Sequence, residues 1–247
     1  SASLAAKRGM IGWSITAMTS VNLALGRFEQ AQHLVDQART SLDGLGAEAS
    51  TARIDAAIID IKVRNARGSD DKVERSARDL AAEMARNQGG GDPRVFEAGN
   101  LLGEILMRQS KFPEAIEQFR RVLAAPIGQL PADHPARETA LSNMAVALRG
   151  SGDLKGAAQA LTALEKDLSA RHGADHPSTL SVVNNLAIVE QNAGDAERAL
   201  ALYDRAYEGR SRVLGPDHPD TLNVLQNRAT LLIQAGKAAE AEPQLQQ

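Results

Sequence analysis

The chain has 247 residues, a formal net charge of −3, 43% apolar side chains of which few are aromatic (3% of all residues), and no cysteine. Without cysteine there is no disulfide framework, thiolate nucleophile or thiolate metal site; without a concentrated basic stripe nucleic acid is not an expected partner; and with no run of 18 apolar residues nothing in the sequence spans a membrane. A core this poor in aromatics must be built from Ala, Leu, Val and Ile, which suits closely packed helices better than sheets.

In chain order, Ser1 to Met10 carry Lys7 and Arg8 but no following apolar stretch with a cleavage site, so no signal peptide is legible. The compartment stays open between cytoplasm and periplasm. Apolar residues at spacings of three and four then predict helices over about 9–24, 28–42, 51–66, 70–88, 93–108, 112–125, 135–149, 154–171, 177–192, from 196 onward, and 219–234. The most broken connections are Asn87 to Pro93 and Pro126 to Pro131. The stretch from Asp175 to Leu214 shows the local plan. Asp175 or Ser178 offers a capping oxygen, Pro177 suits a first helical turn, and Leu180, Val183, Leu186, Ala187, Val189 and Ala193 form one apolar face. Gly194 stops that helix and Asp195 caps the next, which carries Ala199, Leu202, Tyr203, Ala206, Tyr207 and Val213.

The plan repeats. Asp-His-Pro stands at 133–135, 175–177 and 217–219, an interval of 42 residues. The same step from Gly26 lands on Gly68, Ser110, Gly152, Gly194 and Gly236, and from Ala31 on Val73, Ala115, Ala157, Ala199 and Ala241. Neither helix of such a pair buries a face alone, so copies must stack. This predicts one array with units at about 9–50, 51–92, 93–134, 135–176, 177–218 and an incomplete 219–247. An array ending inside its sixth helix pair leaves an apolar face half covered, as in a fragment of a longer protein or an end covered by a partner or second copy.

No constellation in the sequence reads as chemistry. Histidines in successive units stand at least about 8–10 Å apart, whereas ligands of one zinc lie about 2 Å from it. His172 and His176 have the spacing of a zinc helix, yet Gly173 and the Asp-His-Pro turn fall between them. Gly150, Gly152 and Gly156 follow no strand and precede no Lys-Ser/Thr pair, so they read as a helix-to-helix turn rather than a phosphate loop. Asp70 with Asp71, and Glu240 with Glu242, sit near helix starts, where the macrodipole favours acids. There is neither a nucleophile elbow nor a His-Glu-x-x-His. The expectation is no enzyme, no cofactor and no metal.

The run GADHPSTLSVVNNLAIVEQNAGDAERALALYDRAYEGRSRVLGPDHPDTLNVLQNRATLLIQAGKAAEAEP (173–243) resembles the 42-residue tetratricopeptide repeat of kinesin light chains and of many bacterial proteins. The helix pair, central glycine, alanine five residues later, His-Pro turn and Pro243 all match. The resemblance extends to 133, includes Leu25 to Ala38, and follows mainly from register over 43–132. The first three turns depart from it. Asp92 and Pro93 are a remnant, and Thr51 and Gly9 occupy the earlier proline positions. The resemblance implies an all-α fold, a right-handed α-solenoid of antiparallel helix pairs with about 11 to 12 helices, and a protein-binding role. In bacteria such arrays resemble the sensing or recruiting regions attached to serine/threonine kinases, transcription regulators and caspase-like proteases. The implied whole is a bacterial signalling protein with a serine/threonine kinase attached.

By the family's pattern the first helix of each unit lines a groove. Asn143, Asn185 and Asn227 recur there at 42-residue steps, with Asn100, Asn184 and Gln226 one residue earlier in their units. Glu104, Arg108, Arg149 and Gln191 join them, beside Glu97, Ser181, Ile188, Asn223 and Thr230. An asparagine amide both donates and accepts, which matches the backbone of an extended peptide without reading its sequence. The competing reading is that these amides bridge neighbouring repeats. Trp13, at a groove phase, is either a peptide anchor or packed under what precedes Ser1. Two other functions stay open: self-association through the unfinished end, and sensing of a small ligand.

Overall fold

The computed structural model describes residues 15, 17–42, 50–87, 92–237, 240 and 241. Trp13, Gly9, Glu242 and Pro243 lie outside them. Among the described residues the regular structure is all α-helix. Helix α1 covers 17–24, followed by α2 (Phe28–Leu42), α3 (Ser50–Arg67), α4 (Asp71–Asn87), α5 (Arg94–Arg108), α6 (Phe112–Leu123), α7 (Pro135–Gly150), α8 (Leu154–His172), α9 (Pro177–Ala193), α10 (Ala196–Leu214) and α11 (Pro219–Gln234). From α2 on, these ends fall within two residues of those the apolar spacing predicts.

The chain divides into two compact units, Ser1–Lys111 with Pro126–Leu130, and Phe112–Ala125 with Pro131–Gln247. In the first, α3 packs on both α2 and α4, and α4 on α5. In the second, each helix from α6 to α11 packs on the next. Its core joins Val183 and Ala187 of α9, Ala199, Tyr203 and Ala206 of α10, and Val224 and Leu231 of α11. At Gly209 the approach of α10 to α9 is so close that a Cβ would stand 2.6 Å from Leu180 Cδ2.

Each point of the 42-residue register has a structural reason. Ala31, Val73, Ala115, Ala157, Ala199 and Ala241 are all buried, where only a small side chain suits the close approach of helices. Gly26, Gly152, Gly194 and Gly236 hold φ of +68°, +89°, +86° and +75°, the left-handed turn that closes one helix before the next begins. Gly68 is the exception without such a φ. Ser110 stands in the same register at φ +59° and carries a Cβ there. Relieving that strain is worth about 1–2 kcal/mol, offset by about 0.4–1 kcal/mol for the freedom glycine adds to the unfolded chain. Ser110→Gly therefore raises stability by a net of roughly 0.5–1 kcal/mol in urea denaturation. A destabilised variant would contradict the left-handed cap.

The Asp-His-Pro turns cap α7, α9 and α11, and here one sequence expectation needs correcting. The capping acceptor is neither Asp175 nor Ser178 but the imidazole: Nδ1 of His134, His176 and His218 accepts from the backbone N–H of Ala136 (3.1 Å), Ser178 (3.3 Å) and Asp220 (3.2 Å). Each His has an extended backbone, His176 at φ −64° and ψ 139°, which swings its ring over a free amide, and the following proline fills the first turn. Asp175, one residue further out, pairs instead with Arg212 at 3.0 Å. Asp195 caps α10 as expected, through the N–H of Arg198, and Asp153 caps α8 in the same way through the N–H of Gly156.

Two residues after each proline a further contact ties the turn down. Thr179 Oγ1 donates to Gly173 O and Thr221 Oγ1 to Gly215 O, both at 2.9 Å. In register with them is Arg137, whose guanidinium donates to Pro131 O (3.1 Å) and also reaches Leu123 O (2.7 Å) and Ala125 O at the end of α6.

Candidate peptide-binding face

In the second unit α7, α9 and α11, the first helices of their pairs, touch one another directly, α7 on α9 and α9 on α11. The expected groove residues sit on them with different fates. Asn184 is buried, and its Oδ1 accepts from Asn227 Nδ2 at a long 3.4 Å, the same amide lying 3.4 Å from Asn223 Oδ1. Gln191 donates to Gln234 Oε1 (2.9 Å) and accepts from Tyr203 O–H (2.8 Å). These four amides thus bridge α9 to α11, the competing reading of the sequence. Asn185, half-buried on α9, and Gln226, exposed on α11, make no side-chain hydrogen bond with a described residue. Asn143 is half-buried on α7. Arg149, half-buried near the end of α7, has no ion pair among the described residues, but its charge acts on Tyr203, whose phenol burial pushes up to about 12 against that influence.

Ser181 is committed to structure. Its hydroxyl donates to Pro177 O and accepts from Arg210 Nη2, both at 2.9 Å. Arg210, which the sequence reading missed, is buried, and its other nitrogen donates to Asp220 O at 2.6 Å. Burial lowers the pKa of this guanidinium, with the nearby Asp220 charge acting the other way. A signal existed: one register step earlier stands the buried Leu168.

The first unit presents different chemistry. Asn100 is buried in α5, Glu104 half-buried, and Arg108 exposed in the last turn. The positions in register with Asn143, Asn185 and Asn227 are the buried Leu101 and Ile59 and the exposed Ala17, none of them an amide, so the amide row belongs to the second unit. A cavity of about 200 Å³ opens here beside Thr19, Asp55, Lys62 and Glu97. Its charges are paired: Lys62 Nζ lies 2.5 Å from Glu97 Oε1, and Asp55, raised in pKa by burial, lies 3.4 Å from Nη1 of Arg94 outside the lining.

His172 and His176 belong to different helices, as their sequence context predicts, although their ring centroids come within 4.8 Å. His172 Nε2 accepts from Arg171 (3.1 Å), and His176 Nδ1 is engaged in its cap. Among the described residues no three His, Asp or Glu side chains converge as a metal site would require.

Two tetratricopeptide repeat models match this sequence, one over residues 178–247 and one over residues 65–129 and 100–172, together more than half of the chain. The chain belongs to the tetratricopeptide repeat family. Tetratricopeptide repeats are in general protein-interaction scaffolds rather than catalysts, so the family supplies the coarse function. The fold is shared with a putative kinesin light chain of Podosopora anserina with nearly identical repeats (19% identity, 81% of this chain and 95% of that one, TM-score 0.68). It is shared also with BtubC from P. vanneervenii (17%, 95% and 88%, TM-score 0.67) and with PilW, a type IV pilus biogenesis factor (20%, 96% and 92%, TM-score 0.65). No curated protein matches the sequence.

Proposed function

We propose that this tetratricopeptide array is a non-catalytic scaffold that binds an extended segment of a partner protein on the α7–α9–α11 face of its second unit. The observation that carries the reading is Asn185, held half-buried in the middle of that face with both its donor and its acceptor unspent. Around it Gln226 offers a further amide, Asn143 stands in the same row on α7, and Arg149, which has no ion pair among the described residues, offers a cation for a carbonyl or carboxylate. Such a surface holds a peptide backbone, while specificity comes from its neighbours. The bridging amides Asn184, Gln191 and Asn227 set the spacing of α9 and α11 beneath it. Asn100, Glu104 and Arg108 belong to the first unit and form no part of this face.

A random peptide display library selected on the 247-residue chain supplies the probe. Isothermal titration of the selected peptide is expected to show that Asn143→Ala/Asn185→Ala loses about 1.4 kcal/mol or more, a tenfold change, while the urea midpoint stays unchanged. Full affinity in the double variant, or no selectable extended peptide, would sink the assignment.

The wider setting we propose rests on the sequence resemblance: a recruiting region in a larger bacterial signalling protein, with a serine/threonine kinase attached. The coding sequence on either side tests it, since a kinase domain in frame is the expected finding and an unrelated catalytic domain would refute it.

A further inference from the structure

A second feature lies on the other side of α3. Arg53, Asp60, Arg64 and Arg67 follow one another at helical spacing, and at about 100° per residue they face away from Asp55, Ile58 and Lys62, which line the small cavity described above. Between α2 and α4, with this face of α3 as its floor, opens a cavity of about 910 Å³. That is within the range of about 300–1,000 Å³ typical of ligand sites.

Its charges are unevenly placed. Arg53, Arg64 and Arg67 of α3 and Arg39 of α2 line it together with one buried carboxylate, Asp60, and Arg53 donates to Leu42 O at 3.3 Å. Asp60 already shows how the cavity holds an acid: Oδ1 accepts from Gln32 Nε2 at 3.1 Å, and Oδ2 lies 2.7 Å from Arg64 Nη2 and 3.8 Å from Arg39 Nη1. Both oxygens are taken, yet the guanidinium groups are not exhausted. Arg64 donates through Nη1 to Ser76 Oγ at 3.3 Å but keeps a buried Nε without an acceptor, and among the described residues Arg39 has no closer carboxylate and Arg67 pairs only with the exposed Glu29. The remaining acids, Asp79 and Glu83, stand exposed on the α4 rim. Leu42, Ile61 and Leu80 give the wall an apolar component.

We propose that this cavity is a binding site, separate from the amide face, for a short acidic peptide segment of a partner protein, one carboxylate sharing the arginines with Asp60 and a neighbouring aliphatic side chain resting on Leu42, Ile61 and Leu80. The guanidinium fork favours a planar carboxylate, and a partly enclosed cavity strengthens the pairing relative to open solvent. The site does not depend on the groove reading.

Fluorescence anisotropy with a fluorescein-labelled Gly-Leu-Glu-Glu-Leu-Glu peptide, and with its counterpart carrying Gln in place of Glu, tests it on the full 247-residue chain. Saturable binding of the acidic peptide is expected, weakened about tenfold or more for the Gln peptide and for Arg39→Gln/Arg67→Gln. Those two side chains are 63% and 46% exposed, so their loss leaves the fold intact. Asp79→Asn/Glu83→Gln, which removes repelling charge from the rim, is expected to tighten binding, and Asn143→Ala/Asn185→Ala to leave it unchanged. Absence of saturation, equal binding of the Gln peptide, or indifference to both arginine and rim variants would overturn the proposal. Loss of binding in the asparagine variant alone would move the peptide to the amide face, and displacement by inorganic phosphate in preference to acetate would make this a phosphate site instead.

Discussion

Replacing Tyr203 by Ala lowers the unfolding free energy by about 3–5 kcal/mol, the usual cost of removing a buried aromatic side chain. Tyr203 is fully buried, the bulkiest such side chain among the described residues, and it joins α9, α10 and α11 in one cluster. In a core built mainly from Ala, Val and Leu no neighbour is large enough to fill the void. Tyr203→Phe separates ring from hydroxyl: it keeps the packing and removes only the bond to Gln191 Oε1, at a cost of about 0.5–1.5 kcal/mol. Urea denaturation of both variants checks the ranking, with the Ala loss at least twice the Phe loss. Equal losses would show that the hydroxyl, not the ring, organises this corner.

Arg137→Ala is the second large effect, about 2–4 kcal/mol, because one charged side chain satisfies carbonyls of Pro131, Leu123 and Ala125 and places a cation at the negative end of α6. The repeat supplies its own control. Threonine stands at the equivalent places, Thr179 and Thr221, and bonds the equivalent turn carbonyl. Arg137→Thr should therefore recover the bond to Pro131 O yet leave the α6 carbonyls unanswered, falling between Ala and the natural residue in the same denaturation assay. If Thr restored full stability, the reach to α6 would carry no energy.

These two residues show where sequence reading succeeds and where it stops. Tyr203 lies on the helical spacing that places α10, and its burial follows from that spacing. The register also marks the left-handed turns, because only a glycine tolerates them without strain, and it marks the alanines where helices meet. What register does not give is the side-chain partner. Asp175 is the more familiar cap, but backbone geometry hands the task to His176. The amides show the same limit. A 42-residue step pairs Asn185 with Asn227, whereas the bonds join Asn184 to Asn227 and Gln191 to Gln234, each 43 residues apart. Stacked helices are offset by about one residue, so a row that looks like a ladder in sequence splits into bridging amides and the unspent Asn185. The arginine cavity was illegible for a related reason: Arg39, Arg53, Arg64 and Arg67 share no register and meet only through the packing of α2 on α3.

The central claim, that a peptide lies along the α7–α9–α11 face, is tested most directly by nitrogen-15 spectra of the side-chain amides as the display-selected peptide is added. Binding there shifts the NH₂ resonances of Asn143, Asn185 and Gln226 together, while Gln32, inside the arginine cavity, stays in place. Shifts confined to Gln32, or to amides on α8 and α10, would contradict it.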